Sequence, residues 1–159
     1  MIFMTLGSQK FQFNRLLIVV DRLVAEGKIT EEVFAQTGYS DYLPKHYQYK
    51  PFLDRDEYAQ MMEKADIVIT HGGTGAIIGA VKKSKKVIAV PRLAKYREHV
   101  DNHQLQCIGE FKDLNLICAC YDCDNLEAAL NYVRRKNFNR YQSNTTRIID
   151  SSDEFINGR

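Results

Sequence analysis

A strand-like run that ends in a glycine loop constrains the fold of this chain more than any other feature. Residues 65–75 read ADIVITHGGTG, so four strand-forming residues lead into a turn that contains three glycines. The apolar segment 76–81 then continues with the composition of a helix. Backbone N–H groups at such a helix N-terminus favour a phosphate group. A tight strand-to-helix turn also needs glycine without any ligand, so both interpretations stay open on this stretch alone.

The other segments alternate in the same way between short apolar runs and amphipathic stretches. Strands are predicted at 1–5, 33–37, 47–49, in the run before His71, at 87–90 and at 116–119. Helices are predicted at 12–26, 54–64, 76–81, 99–111 and 125–135. Short strands that are apolar on both faces are typical of a parallel sheet covered by helices on both sides. We therefore predict an α/β fold with a single Rossmann-like, doubly wound parallel sheet, whose loops after the strands lie on one rim.

Length and charge set the limits of this prediction. A chain of 159 residues is long enough for one domain with a core of ordinary size, which we place at residues 1–135. Residues 136–159 form a polar and basic tail with a possible role in partner docking. The net charge of +2 predicts no nucleic-acid partner, and no apolar run reaches the ~20 residues of a membrane span. Without a visible signal peptide, we expect a cytoplasmic protein.

Four cysteines, at positions 107, 118, 120 and 123, leave two interpretations open. The spacing of the last three resembles that of metal ligands, and His99 or His103 could complete a zinc site. Alternatively, Cys118 and Cys120 are small buried apolar residues on one face of a strand. A second well-spaced cysteine pair is missing, and this favours the buried interpretation.

The position of the glycine loop disfavours the two commonest nucleotide motifs. A dinucleotide fingerprint requires several glycines after the first strand, where the chain has only Gly7. The Gly-Lys-Ser/Thr sequence of the Walker motif is absent as well. No Asp-x-Asp pair follows a strand to hold a divalent metal on a diphosphate. We therefore expect any bound diphosphate to be neutralised by N–H groups and the helix end, with no metal or other cofactor.

Four motifs together resemble the C-terminal domain of glycosyltransferase family 28. They are TLGSQ at 5–9, THGGTG at 70–75, VPR at 90–92 and EHVDNHQ at 98–104. The likeness covers roughly residues 1–135 and is strongest to short stand-alone members. These are the bacterial PssE- and EpsF-type exopolysaccharide subunits and the catalytic subunit of the eukaryotic two-chain UDP-GlcNAc transferase. The resemblance implies the nucleotide-binding, C-terminal half of a GT-B glycosyltransferase with a UDP-sugar donor.

The resemblance also implies roles for individual residues. The diphosphate site would comprise Gly7, Ser8, Gly72, Gly73, Thr74 and Gly75. The uracil loop would comprise Lys50, Pro51 and Phe52, and the sugar site Asp101, Asn102, His103 and Gln104. Related enzymes bind ribose with an acidic residue on the helix after the glycine loop, but residues 77–81 read IIGAV here. The ribose contact is therefore in question.

Glycosyl transfer also requires a general base and an acceptor site. His71 and Glu98 are the catalytic candidates, with His99 and His103 as further ones on one predicted helical face. A GT-B active site lies between two domains, and this chain has residues for only one, so we expect another polypeptide to supply the acceptor side. The resemblance implies that this partner is a membrane-anchored second glycosyltransferase subunit. The acceptor would be a lipid-linked saccharide, and the partner would recruit this chain to the inner face of the membrane. The alternatives are a non-catalytic accessory subunit and a Rossmann-like module for another nucleotide.

Overall fold

The computed structural model describes residues 1–142, which contain one six-stranded sheet whose neighbouring strands are all parallel. The strands are β1 (Ile2–Thr5), β2 (Val33–Gln36), β3 (Gln48–Lys50), β4 (Ile67–His71), β5 (Lys86–Val90) and β6 (Cys118–Ala119). Their order across the sheet is β3-β2-β1-β4-β5-β6. Strand order reverses between the neighbours β1 and β4, where doubly wound sheets open a crevice for ligands.

Five α-helices cover the sheet on both faces. They are α1 (Asn14–Ala25), α2 (Arg55–Lys64), α3 (Thr74–Lys82), α4 (His103–Asp113) and α5 (Leu126–Arg135). Residues of α1 and α5 share one apolar core with Ile2 and Met4, while α2, α3 and α4 share the other with Phe3. The strands are apolar on both faces because each face of the sheet packs against helices. The predicted doubly wound α/β fold is confirmed. None of the helices in residues 1–142 is long and apolar enough to cross a membrane.

Most predicted helix ends are confirmed, but the predicted start of α4 is wrong. Asp54 caps α2 in a full capping box with Glu57. The helix predicted from His99 begins only at His103, because the Asp101 carboxylate accepts the N–H of His103 at 2.9 Å. His99 pairs with the same carboxylate from the preceding turn, at 3.2 Å. His99 and His103 therefore do not share a helical face.

Because every strand is parallel, the loops that follow them lie along one edge, which we call the carboxyl rim. It comprises residues 6–10, 37–42, 51–54, 72–73 and 91–102. Two of its glycines, Gly7 and Gly38, have φ values of +74° and +61°, which side-chain-bearing residues rarely adopt. The aromatic loop at residues 39–47 is held by buried Asp21 of α1, which accepts hydrogen bonds from Tyr42 and His46.

The first part of the tail packs on the domain. The N–H of Asn139 donates to the carbonyl of Asn115, and its side-chain amide donates to the carbonyl of Leu114, both at 2.9 Å. Phe138 packs edge-on against Tyr132 of α5. The docking role predicted for the tail also concerns residues 143–159, which lie outside the described residues.

All four cysteines are buried free thiols. Cys118 and Cys120 belong to the same apolar core, and burial raises the pKa of Cys120 to about 12. Burial likewise raises the pKa of Cys123 to about 11. No group of three or more His, Cys, Asp or Glu side chains within residues 1–142 is arranged to hold a metal ion. The interpretation of Cys118 and Cys120 as buried apolar residues is therefore the one that the structure supports.

Candidate functional site

The glycine loop lies at the centre of the carboxyl rim, where the strand order reverses between β1 and β4. β4 ends at His71, Gly73 occupies the N-cap position of α3, and the helix begins at Thr74. No side chain among the described residues caps α3. The first N–H groups of a helix have no intrahelical acceptor and carry partial positive charge. The end of α3 is therefore suited to an anionic ligand such as a diphosphate.

The imidazole of His71 packs directly against two glycines. A Cβ atom at Gly73 would lie 2.3 Å from Cε1 of His71, and one at Gly7 would lie 2.7 Å from Nε2. The ring is only 6% exposed. Burial lowers its pKa to about 3, with further lowering by Arg92 and His99. His71 is therefore neutral at pH 7, and it packs the loop after β1 against the loop after β4.

The glycines of the loop serve different purposes. Gly72 donates its N–H to Oε1 of Gln104 at 3.0 Å, and its Cβ would lie 2.6 Å from Cβ of that residue. This N–H is occupied, so the predicted contact of Gly72 with the diphosphate does not agree with the geometry. Nothing lies within 4 Å of the place where a Cβ of Gly75 would be. Gly75 thus leaves open space at the end of α3, as close approach of a ligand requires.

Gln104 connects the ends of β4 and β5 through its side-chain amide. Its Oε1 also accepts the N–H of Arg92 at 2.9 Å, and its Nε2 lies 3.1 Å from Nδ1 of His71. The side chain is 3% exposed. Sequence analysis placed Gln104 among the sugar-binding residues. In the structure its amide faces the backbone of the glycine loop and the imidazole of His71.

Arg92 is a buried cation that links the loop after β5 to the loop after β1. Its guanidinium is 1% exposed and donates to the carbonyls of Leu6, Phe11, Gln12 and Glu98. Burial lowers its pKa to about 10, against the opposing effect of Glu98. Arg92 is therefore charged at neutral pH, and it fixes the path of the loop that carries Gly7.

Glu98 is fully buried and forms a two-point ion pair with Arg15 of α1. Both N···O distances are 3.0 Å, and Oε1 also accepts the N–H of Leu93 at 3.0 Å. A general base must reach the proton that it removes. The Glu98 carboxylate has no solvent exposure and accepts three hydrogen bonds, so it is held in place and is not free to take up a proton from a substrate. The structure therefore argues against the catalytic role predicted for Glu98 and favours a positioning role.

Comparison with known proteins identifies the family. The glycosyltransferase family 28 C-terminal domain model matches residues 1–156. The chain belongs to this family. The UDP-N-acetylglucosamine transferase subunit ALG13 of Candida albicans is 30% identical over 97 residues. That alignment covers 61% of this chain and 29% of the relative, so the chain matches less than a third of that protein's length.

Solved glycosyltransferases share the fold of this family 28 domain. The calicheamicin glycosyltransferase CalG4 superposes with a TM-score of 0.62 at 14% identity, over 99% of this chain and 38% of the other. MurG of Acinetobacter baumannii superposes with a TM-score of 0.56 at 16% identity, over 93% and 48%. In both, this chain corresponds to less than half of a longer protein.

The uracil loop predicted from family 28 follows β3 and lies at the far end of the carboxyl rim. Phe52 is exposed and packs edge-on against exposed Tyr39, with ring centroids 5.1 Å apart. The carbonyl of Pro51 accepts the N–H of Gly38 at 2.7 Å, and Lys50 pairs with Glu57 at 2.8 Å. The predicted uracil loop therefore carries an exposed, edge-to-face aromatic pair on the carboxyl rim.

The predicted sugar segment is divided between the turn before α4 and its first residues. Asp101 and Asn102 are exposed, and Oδ1 of Asn102 accepts the N–H of Ala94 at 3.1 Å. Nε2 of His103 lies 3.2 Å from Sγ of Cys107, which also lies 3.9 Å from Oγ1 of Thr74. Ser8 is exposed on the loop after β1. The turn before α4 therefore lies on the rim with the glycine loop.

Helix α3 has no acidic side chain in the segment where the family resemblance implies a ribose contact. Of residues 77–81 on α3, Gly79 is the exposed one, and nothing lies within 4 Å of where its Cβ would be. An acidic side chain would have room there, but this chain has none.

The residues that sequence analysis missed are Arg15 and Gly38, together with any role for Arg92. A charged residue directly after Val90-Pro91, at the end of a buried strand, was the available signal for Arg92.

Proposed function

We propose that this family 28 domain binds a UDP-sugar and is the donor-binding, catalytic subunit of a two-component inverting glycosyltransferase. The observation that carries the proposal is the uncapped N-terminus of α3 at the point where the strand order reverses, with open space at Gly75. The donor sugar would be galactose or N-acetylglucosamine. The relatives named as UDP-N-acetylglucosamine transferase subunits support the donor class.

The chemistry of the site supports transfer without a metal ion. Cleavage of the sugar–phosphate bond transfers negative charge to the departing UDP. Fixed N–H donors at a helix end stabilise such charge without having to reorganise during the reaction. Thr74, Gly75 and the following residue of α3 carry these N–H groups. The loop with Gly7 and Ser8 follows the neighbouring strand β1.

A partner subunit would complete the active site. The buried positions of His71 and Glu98 argue against either of these two candidates as the base for the acceptor hydroxyl. The base and the acceptor site would therefore come from a membrane-anchored second glycosyltransferase subunit that recruits this chain to the inner face of the membrane. The acceptor would be a lipid-linked saccharide, as in capsule or exopolysaccharide synthesis. The word subunit in the name of the Candida albicans ALG13 relative supports a two-chain enzyme.

The absence of an acidic residue at Gly79 favours a second candidate function, that of a non-catalytic accessory subunit. In that role the domain would stabilise the partner or raise its activity. The two functions differ in one experiment, in which the co-purified complex is assayed with a variant that blocks the donor site of this chain. Loss of transfer supports the catalytic role, and unchanged transfer supports the accessory role.

Substitution at Gly75 tests the donor site directly. Gly75→Val should weaken UDP binding at least about tenfold, or about 1.4 kcal/mol, because its side chain fills the space at the helix end. It should not destabilise the fold, since valine is a better helix former than glycine. Calorimetric titration with UDP and thermal unfolding measure the two effects.

Gly109→Ala on α4 is the control for Gly75→Val, because a Cβ there also meets nothing closer than 3.9 Å. This variant should bind UDP with wild-type affinity. Unchanged affinity in Gly75→Val would contradict the assignment of the diphosphate to the end of α3.

A further inference from the structure

The orientation of the Gln104 amide is fixed by its neighbours. The N–H groups of Gly72 and Arg92 both donate to one atom, at 3.0 and 2.9 Å, and that atom must be the amide oxygen. The NH2 group consequently faces Nδ1 of His71, at 3.1 Å. An NH2 group can only donate, so Nδ1 of His71 must accept.

This orientation determines where the proton of His71 resides. A neutral imidazole carries one N–H, and with Nδ1 accepting, the proton lies on Nε2. Nε2 lies against the two glycines, 2.7 Å from a Cβ built on Gly7 and 2.8 Å from one built on Gly73. The charged or titratable groups that act on His71 from the neighbouring loops are Arg92 and His99. Neither of them supplies a negative charge that would favour protonation of the ring.

We propose that Gln104 is a positioning residue, which holds His71 as the Nε2–H tautomer and fixes the glycine loop to the loop after β5. The proposal assigns this role in addition to the sugar-binding role that the sequence resemblance implies for Gln104. It follows from the three hydrogen bonds of the amide and not from the proposed function. Its consequence for UDP does rest on the proposed function, because the Nε2–H group and the loop geometry would then serve the donor site.

The tautomer can be observed directly by ¹⁵N NMR of the imidazole ring. In the wild-type protein at pH 7, Nε2 of His71 should be protonated and Nδ1 should not. Gln104→Glu keeps the shape of the side chain but removes both amide hydrogens. The carboxylate can accept from Gly72 and Arg92 with one oxygen and from His71 with the other. Nδ1 should therefore become protonated in this variant, whether the ring is neutral or cationic.

UDP affinity gives a second measurement. Gln104→Glu should weaken UDP binding at least about tenfold, because it adds a negative charge beside the glycine loop and changes the proton position of His71. Gln106→Glu, two residues along α4 and exposed, adds the same charge without contacting His71 and is the control. It should leave the tautomer unchanged and UDP affinity close to that of the wild type.

The possible results separate the two claims. A wild-type spectrum with Nδ1 protonated would overturn the proposal, and this result needs no variant that folds. A Gln104→Glu spectrum identical to the wild type would overturn it as well. If the wild type shows the Nε2–H tautomer but does not bind UDP, the positioning role of Gln104 holds and the proposed function fails.

Discussion

Arg92→Met should lower the free energy of unfolding by about 3–5 kcal/mol, the usual cost of removing one member of a buried charged network. The substitution leaves carbonyls of the loop after β1 without their donor. It also leaves the fully buried carboxylate of Glu98 with Arg15 as its remaining cation. Urea unfolding at pH 7 measures the change. A loss below about 1 kcal/mol would show that the buried guanidinium contributes little.

Two further variants separate charge from shape at this position. Arg92→Lys keeps the charge but lacks the planar guanidinium that donates to several carbonyls at once. We therefore expect an intermediate loss of unfolding free energy. Arg55→Met, on the exposed first turn of α2, removes a charge of the same kind and should change stability by no more than about 0.5 kcal/mol. Equal losses for Arg92→Met and Arg55→Met would contradict the account of the network.

Acidification should destabilise the protein through His71. The unfolded ring binds a proton below its ordinary pKa of about 6.5, whereas burial keeps the folded ring neutral down to about 3. The stability that this difference contributes is complete above pH 6.5 and is lost as the pH falls toward 3. Each pH unit in this window removes about 1.4 kcal/mol, so the loss at pH 4.5 is about 3 kcal/mol. Below about pH 4, Asp21, whose hydrogen-bonded carboxylate has a lowered pKa, adds to the loss.

Unfolding curves at pH 7.0 and 4.5, together with an NMR titration of His71, test this dependence. His71→Asn places an amide oxygen near the position of Nδ1 and removes the titrating group, so its stability should depend less on pH in this window. Gln106→Asn, at an exposed position of α4, removes no titrating group and should keep the wild-type dependence. A His71 ring that titrates near pH 6.5 in the folded protein would contradict the predicted loss.

Local signals in the sequence predicted the architecture well. The short apolar runs of the strands and the cap at Asp54 depend on neighbours in the chain, so the sheet, α2 and the position of the glycine loop could be foreseen. The start of α4 could not, because the side chain of Asp101 ends the preceding turn by accepting the N–H of His103. The residues from His99 onward fit a helical pattern equally well.

The roles of single residues in the site were harder to predict, because they depend on distant contacts. Glu98 meets Arg15 across 83 positions of the chain, and Arg92 meets Leu6 across 86. No local pattern marks such partners. The glycine motif shows the same limit, since Gly73 makes room for His71 and Gly75 leaves space for a ligand. The sequence indicated the loop but not this division between packing and binding.

Calorimetric titration of the wild-type protein with UDP, NAD and ATP in separate experiments tests the central claim, that the loop at His71–Gly75 binds the diphosphate of a UDP-sugar. The uncapped end of α3 and the exposed Tyr39–Phe52 pair predict measurable binding of UDP. The missing dinucleotide and Walker motifs predict much weaker binding of NAD and ATP. No heat with UDP together with clear binding of NAD would contradict it and would identify the domain as a module for another nucleotide.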